Sequence, residues 1–302
     1  MQATRHSLPG GRWHFQHGPI DLVIGADGEP QALAAAHEQA WLRFQPLLAE
    51  LVAELAWLRQ AVDAAAGRLQ GPVARDMAAA CAPMAAWGFI TPMAAVAGAV
   101  AQALIACYQR PGVQRAWVNN GGDIALHLTP GTEVAVGLVA DLSRFDTATA
   151  LRTAAGQGRA DGRFVVRHGD GVRGIATSGW RGRSFSLGIA DSVTVLAATA
   201  AQADAAATVI ANAVDCDHPA IRRRPACELR DDSDLGQRLV TVDVPSLPPC
   251  DVRSALARGQ QRARELQRLG LIQAAALVCQ GSLAEVMPVQ PLKSPPDLLL
   301  VQ

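Results

Sequence analysis

From Met77 to Gln109 the chain carries no charged side chain: MAAACAPMAAWGFITPMAAVAGAVAQALIACYQ. A neutral run of that length either crosses a bilayer or is buried in a protein core. The bilayer suits it badly. Ala and Gly dominate, Pro83 and Pro92 interrupt the run, and no Lys/Arg cluster flanks it as an orientation signal. The sequence therefore predicts a helix buried inside a soluble protein, starting near Thr91-Pro92, where Thr suits the N-cap and Pro the first helical position. A second apolar run, Ser192 to Val214, contains a single charge, Asp204.

Covering two such segments takes a sizeable core, and 302 residues provide it. Half the residues are hydrophobic but only 4% are aromatic, so the core is built from Ala, Val, Leu and Ile, and low-complexity disorder is excluded. Lys plus Arg and Asp plus Glu each total 27, so no global charge attracts nucleic acid or an anionic membrane. The six cysteines, Cys81, Cys107, Cys216, Cys227, Cys250 and Cys279, form no C-x-x-C pair and read as reduced, mostly buried thiols, with no structural zinc. The first twenty residues lack an apolar h-region. A cytoplasmic protein without a signal peptide is expected.

The pattern along the chain is mixed. Arg12–His17 and Ile20–Gly25 read as a hairpin around His17-Gly18-Pro19, and Gln31–Ala66 as two helices broken at Pro46. Ala116–Asn119, Asp123–Leu128 and Glu133–Ala140 read as an antiparallel meander. Leu142–Asp161 is helical or irregular. Arg163–His168 and Val172–Ala176 then form a hairpin across Gly169-Asp170-Gly171. Strand Ser192–Ala197 leads into an Ala-rich helix from Ala200 to Ala213. Asp215–Asp234 reads as a solvated loop, strand Leu239–Val244 and helix Asp251–Leu269 follow, and strand Leu271–Val278 precedes a Pro-rich tail. With no repeat or long linker, the expectation is one α+β domain over 1–287, with antiparallel strands and a buried Ala-rich helix, and a tail over 288–302.

Three places could carry chemistry. In Asn119-Asn120-Gly121-Gly122-Asp123 two glycines let backbone N–H groups approach a ligand beside polar side chains, although a plain Asn-Gly hairpin turn has the same composition. In Thr177-Ser178-Gly179, followed by Arg181, Arg183 and Ser184, hydroxyls and guanidiniums suit a phosphate, and a polar surface loop reads alike. Arg222-Arg223-Arg224 raises the same alternative, a phosphate-binding cluster or a solvated run. Asp204 is the most informative. A lone carboxylate on so apolar a helix needs a partner, and Thr208 and Asn212 follow at four-residue steps on the same face. That oxygen-rich stripe suits a hard cation such as Mg²⁺ shared with phosphates, unless Asp204 simply lies on the helix surface.

In order and wording, Val118-Asn119-Asn120-Gly121-Gly122-Asp123-Ile124, Ala176-Thr177-Ser178-Gly179, and Ser192–Ala197 leading into Ala203-Asp204-Ala205-Ala206-Ala207-Thr208 resemble the ApbE superfamily of FAD:protein FMN transferases. The resemblance covers roughly Phe89 to Val214 and points to a short, uncharacterised ApbE-like branch. It implies an α+β fold with a flavin-nucleotide cleft. Asp204 and Thr208 fall on the residues that bind Mg²⁺ and serve catalysis. Asn119, Asn120, Gly121, Gly122, Asp123, Thr177, Ser178 and Gly179 fall on the turns that line the nucleotide. The sequence departs from the superfamily in two places: Gly88–Gly98 lacks the usual Lys, and the usual His-x-x-Asp-Pro-x-Thr-Gly loop is shortened to Ser186–Asp191. Two classes of function follow. One is an Mg²⁺-dependent enzyme that cleaves FAD or transfers FMN to a target flavoprotein. The other is a binding or maturation protein that holds a flavin or related nucleotide, or a partner flavoprotein, without cleaving anything.

Overall fold

The computed structural model describes residues 2–138 and 162–289. The architecture is α+β. A nine-stranded antiparallel sheet runs in the order β1 (Thr4–Leu8), β2 (Arg12–His17), β3 (Ile20–Gly28), β4 (Val113–Asn120), β5 (Asp123–Leu128), β8 (Gly174–Ser178), β9 (Ser192–Ala197), β12 (Ala274–Cys279), β13 (Ser282–Val286). Helices α1 (Pro30–Ala53), α2 (Pro72–Cys81), α3 (Val96–Ile105), α4 (Ala200–Ala213) and α5 (Pro249–Arg268) lie on one face. The small pair β6 (Glu133–Leu138) and β7 (Gly162–Arg167) covers the other.

Strand β9 is buried at every position, as a central strand covered on both faces must be. Its alternation sends Val193, Val195 and Ala197 into the main core and Leu196 into the second cluster with Leu126, Val136, Val166 and Ile175. Helices α3 and α4 cross over the sheet with small residues between them. A Cβ on Gly98 would overlap the backbone of Ala200 and Ala201. This is the use of the alanine-rich composition: small side chains let two helix backbones approach where aromatic residues would hold them apart.

From Ile90 the charge-free run folds as expected into largely buried elements, with Thr91 extended before Pro92 and a 3₁₀ turn leading into α3, whereas Ala82, Pro83, Ala86 and Gly88 earlier in the run are exposed. The Thr91 hydroxyl does not cap this helix. It donates to Asp234 instead. Helical segments Pro72–Trp87 and Pro92–Tyr108 meet at 115°, and among the described residues no single helix is long and apolar enough to cross a membrane.

Several expectations are corrected. Helix α1 continues through Pro46 to Ala53. Leu42, whose carbonyl loses its donor to the proline, is exposed, so water can satisfy it. The break comes instead at Glu54, whose carboxylate accepts from the backbone N–H groups of Gln70 and Gly71. The meander stops after β5, because β5 pairs with β8 and β6 leaves to pair with β7, so β7 and β8 are not a hairpin. Within Asp215–Asp234 the three arginines form β10 (Arg222–Pro225), paired with β11 (Leu239–Asp243). Strand β1, antiparallel to β2, and β13, turning back at Gln280-Gly281, were not anticipated. The expectation for Leu142–Asp161 lies outside the described residues, as does that for the tail beyond residue 289.

The close crossing of α3 and α4 yields a test. Gly98→Ala is expected to cost about 1–3 kcal/mol through overpacking against backbone that cannot move aside. Urea unfolding should show a lower midpoint at an unchanged m-value.

Candidate functional site

Asp204 sits where α3 begins. Its Oδ2 accepts the Gly98 N–H at 2.9 Å, and the Ala97 N–H also donates to its carboxyl. These are first-turn donors with no partner inside their own helix, so a carboxylate here meets both unsatisfied N–H groups and the positive end of the helix. The partner that the sequence demanded for this lone charge is a helix N-terminus. Among the described residues no salt bridge to it is found. The residue keeps some exposed surface, but its carboxyl is surrounded by protein, and burial pushes its pKa well above the usual range. The nearby Asp123 carboxylate raises it further, and the two N–H groups act in the opposite direction.

Asp123 opens β5 directly after the two-residue turn Gly121-Gly122, both at positive φ (66° and 114°). Its Oδ1 accepts the Thr177 N–H at 3.2 Å, which ties the glycine turn to the end of β8. The Asp123 carboxyl is buried and rises from 3.8 to about 7, burial being the largest cause, with the Thr177 N–H and the Arg183 guanidinium opposing it. The guanidinium of Arg183 lies over Gly121, in the space where a Cβ would stand. Gly122 has no heavy atom within 4 Å of its would-be Cβ. Open space therefore lies above this turn.

The two turns, separated by more than fifty residues of sequence, thus meet at one end of the sheet, on the same side as α3 and α4. Asn120, Asp123 and Ser178 share the helix-facing side with Val118, Ala125 and Ala176. Asn120 donates to the Ala97 carbonyl at 3.1 Å, and Asn119 Oδ1 accepts the Gly122 N–H at 2.8 Å, bracing the turn. Gly179 is needed for close packing, since a Cβ there would overlap the Asp191 backbone. Thr177 turns its hydroxyl to the opposite face, 2.9 Å from that of Thr194, so only its N–H faces the carboxylates.

The stripe on α4 divides. Thr208, one turn from Asp204, makes no side-chain hydrogen bond to the described residues, whereas Asn212 Oδ1 already accepts from Ser186 Oγ and the Leu187 N–H. Asp191, in the shortened loop, accepts the Gln280 N–H and serves packing. The Arg222–Arg224 run is no anion cluster: its guanidiniums pair with Asp243, Asp215 and Glu228 respectively. These pairs border a shallow pocket of about 530 Å³ away from the carboxylates, between Ile221, Leu229 and Val242. Among the described residues no three His, Cys, Asp or Glu side chains gather as metal ligands. A cation at Asp204 would therefore have two carboxylates at most, with the Thr208 hydroxyl and ligand oxygens completing its shell. That all-oxygen set fits Mg²⁺. Sequence reasoning missed the Ala97–Gly98 donors, Thr194 and the closeness of Asp123 to Asp204. None has a sequence signal, because each depends on how distant segments pack.

The family model described as "AbpE bacteria" matches residues 5–285. The chain belongs to that family. A UPF0280 protein of Methanospirillum hungatei is 38% identical over 146 residues, 47% of this chain and 52% of the relative. One from Methanosphaerula palustris is 30% identical over 204 residues, 67% of this chain and 77% of the relative. The chain thus spans about half the length of the first relative and over two thirds of the second. Among solved structures, the apo flavinyl transferase ApbE of Pseudomonas stutzeri matches 96% of this chain and 97% of its own at 15% identity, with a TM-score of 0.38.

The buried carboxylates give this AbpE-family protein a pH signature. Between pH 3.8 and about 7 the folded state holds a proton on Asp123 that the unfolded chain has lost. Stability in the presence of a chelator is therefore expected to fall as pH rises through that window, with Asp204 extending the loss upward. Asp123→Asn should flatten the slope in urea unfolding measured at intervals from pH 4 to 8. An unchanged slope would remove the effect from Asp123.

Proposed function

We propose that the cleft beside the two turns binds a flavin nucleotide, FAD or FMN, and that Asp204 and Thr208, with Asp123, hold Mg²⁺ against its phosphates. One observation carries the reading: two buried carboxylates lie within electrostatic reach of each other, and among the described residues neither is in an ion pair. Such a pair is costly in an empty protein and becomes favourable around a divalent cation, which replaces repulsion with ligation. Membership of the AbpE family supports flavin as the ligand class.

The chain's own groups then have defined tasks. Asp204, held by the Ala97 and Gly98 N–H groups, is a fixed donor that needs no reorganisation to receive a metal. Thr208 offers a hydroxyl one turn along the same face. Open space at Gly122 lets a ligand approach the backbone, and the strand alternation gives Ser178, not Thr177, the hydroxyl on the helix side. Bound there, Mg²⁺ would neutralise phosphate charge as a pyrophosphate bond breaks. A second reading, binding without cleavage in the service of a partner flavoprotein, is favoured by the shortened loop. Its polar groups, Ser186 and Asp191, are committed to Asn212 and Gln280.

Thermal unfolding with Mg²⁺ and FAD tests the site, and release of AMP and FMN separates the two readings. At a hundredfold excess over Kd, ligand should stabilise the wild type by about 2.7 kcal/mol. Asp204→Asn should lose that stabilisation while its metal-free Tm is unchanged or higher, because the near-isosteric amide removes a buried charge. Thr208→Val should lose part of it. Equal stabilisation of wild type and Asp204→Asn would remove the metal role.

A further inference from the structure

We propose that Arg183 is the phosphate-binding residue of the cleft: its guanidinium, laid over Gly121 beside Asp123, forms an anion subsite for a pyrophosphate group. This rests on the nucleotide reading above and adds to it the residue that receives the phosphate charge.

Position is the first argument. The guanidinium fills the volume that any side chain at residue 121 would need, so the glycine turn and the arginine are built around each other. Arg183 reaches this point from the loop after Thr177-Ser178-Gly179, and so joins the two turns that already meet through Asp123 and the Thr177 N–H. The second argument is its lack of a partner. The protein pairs Arg222, Arg223 and Arg224 each with its own carboxylate, while Arg183, exposed beside the glycine turn, makes no ion pair or hydrogen bond to the described residues. Third, the chain's one lysine, Lys293, lies outside the described residues. Positive charge from the described protein at this end of the sheet therefore comes from guanidinium. Chemically the arrangement is complementary. Carboxylates on one side suit a divalent cation, and a planar donor fork on the other suits the two-oxygen edge of a phosphate. An arginine that only offset the Asp123 charge would need no vacancy in the turn and no exposure to solvent.

The test uses the full chain and three probes: inorganic pyrophosphate with Mg²⁺, which has phosphate but no flavin; riboflavin, which has the flavin ring but no phosphate; and FAD. Calorimetric titration of Arg183→Gln should show affinity for magnesium pyrophosphate about ten- to a hundredfold below wild type, the range for losing charged hydrogen bonds. Riboflavin affinity should be unchanged. Arg183→Lys should recover part of the loss, because a point charge replaces a fork. If Arg183→Gln binds magnesium pyrophosphate as the wild type does, the proposal is overturned. Should Asp204→Asn still lose that binding, the metal site stands without Arg183. A variant that changes only the pH dependence of unfolding, with pyrophosphate affinity intact, likewise overturns it and leaves Arg183 a charge-balancing role. Pyrophosphate binding that depends on Arg183, with no affinity for riboflavin or FAD, would keep the anion subsite and refute the flavin reading. No pyrophosphate binding by the wild type would overturn both.

Discussion

The contact between the Asp204 carboxyl and the Ala97 and Gly98 N–H groups organises the rest of the structure. It joins the two apolar helices of the core at their closest approach, and it satisfies backbone donors that no other part of α3 could reach. The approach depends on Gly98, because any Cβ there would overlap the Ala200 backbone. Burying a carboxyl is costly, and a helix N-terminus is among the few uncharged surroundings that offset much of that cost. Two segments that are nearly featureless in sequence are thus held in register by one polar contact.

The same contact sets the electrostatics around the glycine turn. Because Asp204 is anchored, Asp123 at the end of the neighbouring sheet cannot relax away from it without losing the Thr177 N–H. The Asp123 carboxylate raises the proton affinity of Asp204; backbone N–H groups oppose the rise at both carboxyls and the Arg183 guanidinium opposes it at Asp123, with no direct ion pair among the described residues. A site so arranged is short of positive charge. On the proposed reading, a divalent cation and an anionic ligand bridging it to Arg183 would supply that missing charge balance.

Much of this was legible before the structure. The neutral run from Met77, the single charge on the Ser192–Val214 segment and the Asn-Gly-Gly-Asp turn each carry a local physical signature, and each has its counterpart in the fold. Errors arose where the local signal was ambiguous. Pro46 looks like a helix break, yet the carbonyl it orphans faces water, so the helix continues. The Arg163–Ala176 stretch looks like a hairpin, yet its two strands belong to different sheets. The arginine run reads as part of a solvated loop, yet it forms β10 against β11, and carboxylates on β11, on the following helical turn and near the end of α4 neutralise it.

By itself the sequence determined which segments favour burial, that Asp204 needs a partner if its helix is buried, and that the two glycines permit a turn other residues would resist, since these follow from solvation cost and backbone sterics within a few residues. It ended the strand at Ala176, whereas β8 runs to Ser178, so the placing of Thr177 and Ser178 on opposite faces was not in it. Only the tertiary structure decided which face received the helices, and therefore that Ser178 rather than Thr177 lies on the helix side of the sheet. It decided that the partner of Asp204 is a helix end, and that Asp123 and Arg183 stand beside it. Period-two alternation and burial are local properties of a chain. The identity of the neighbour across a packed interface depends on residues a hundred positions away, and no local pattern encodes it.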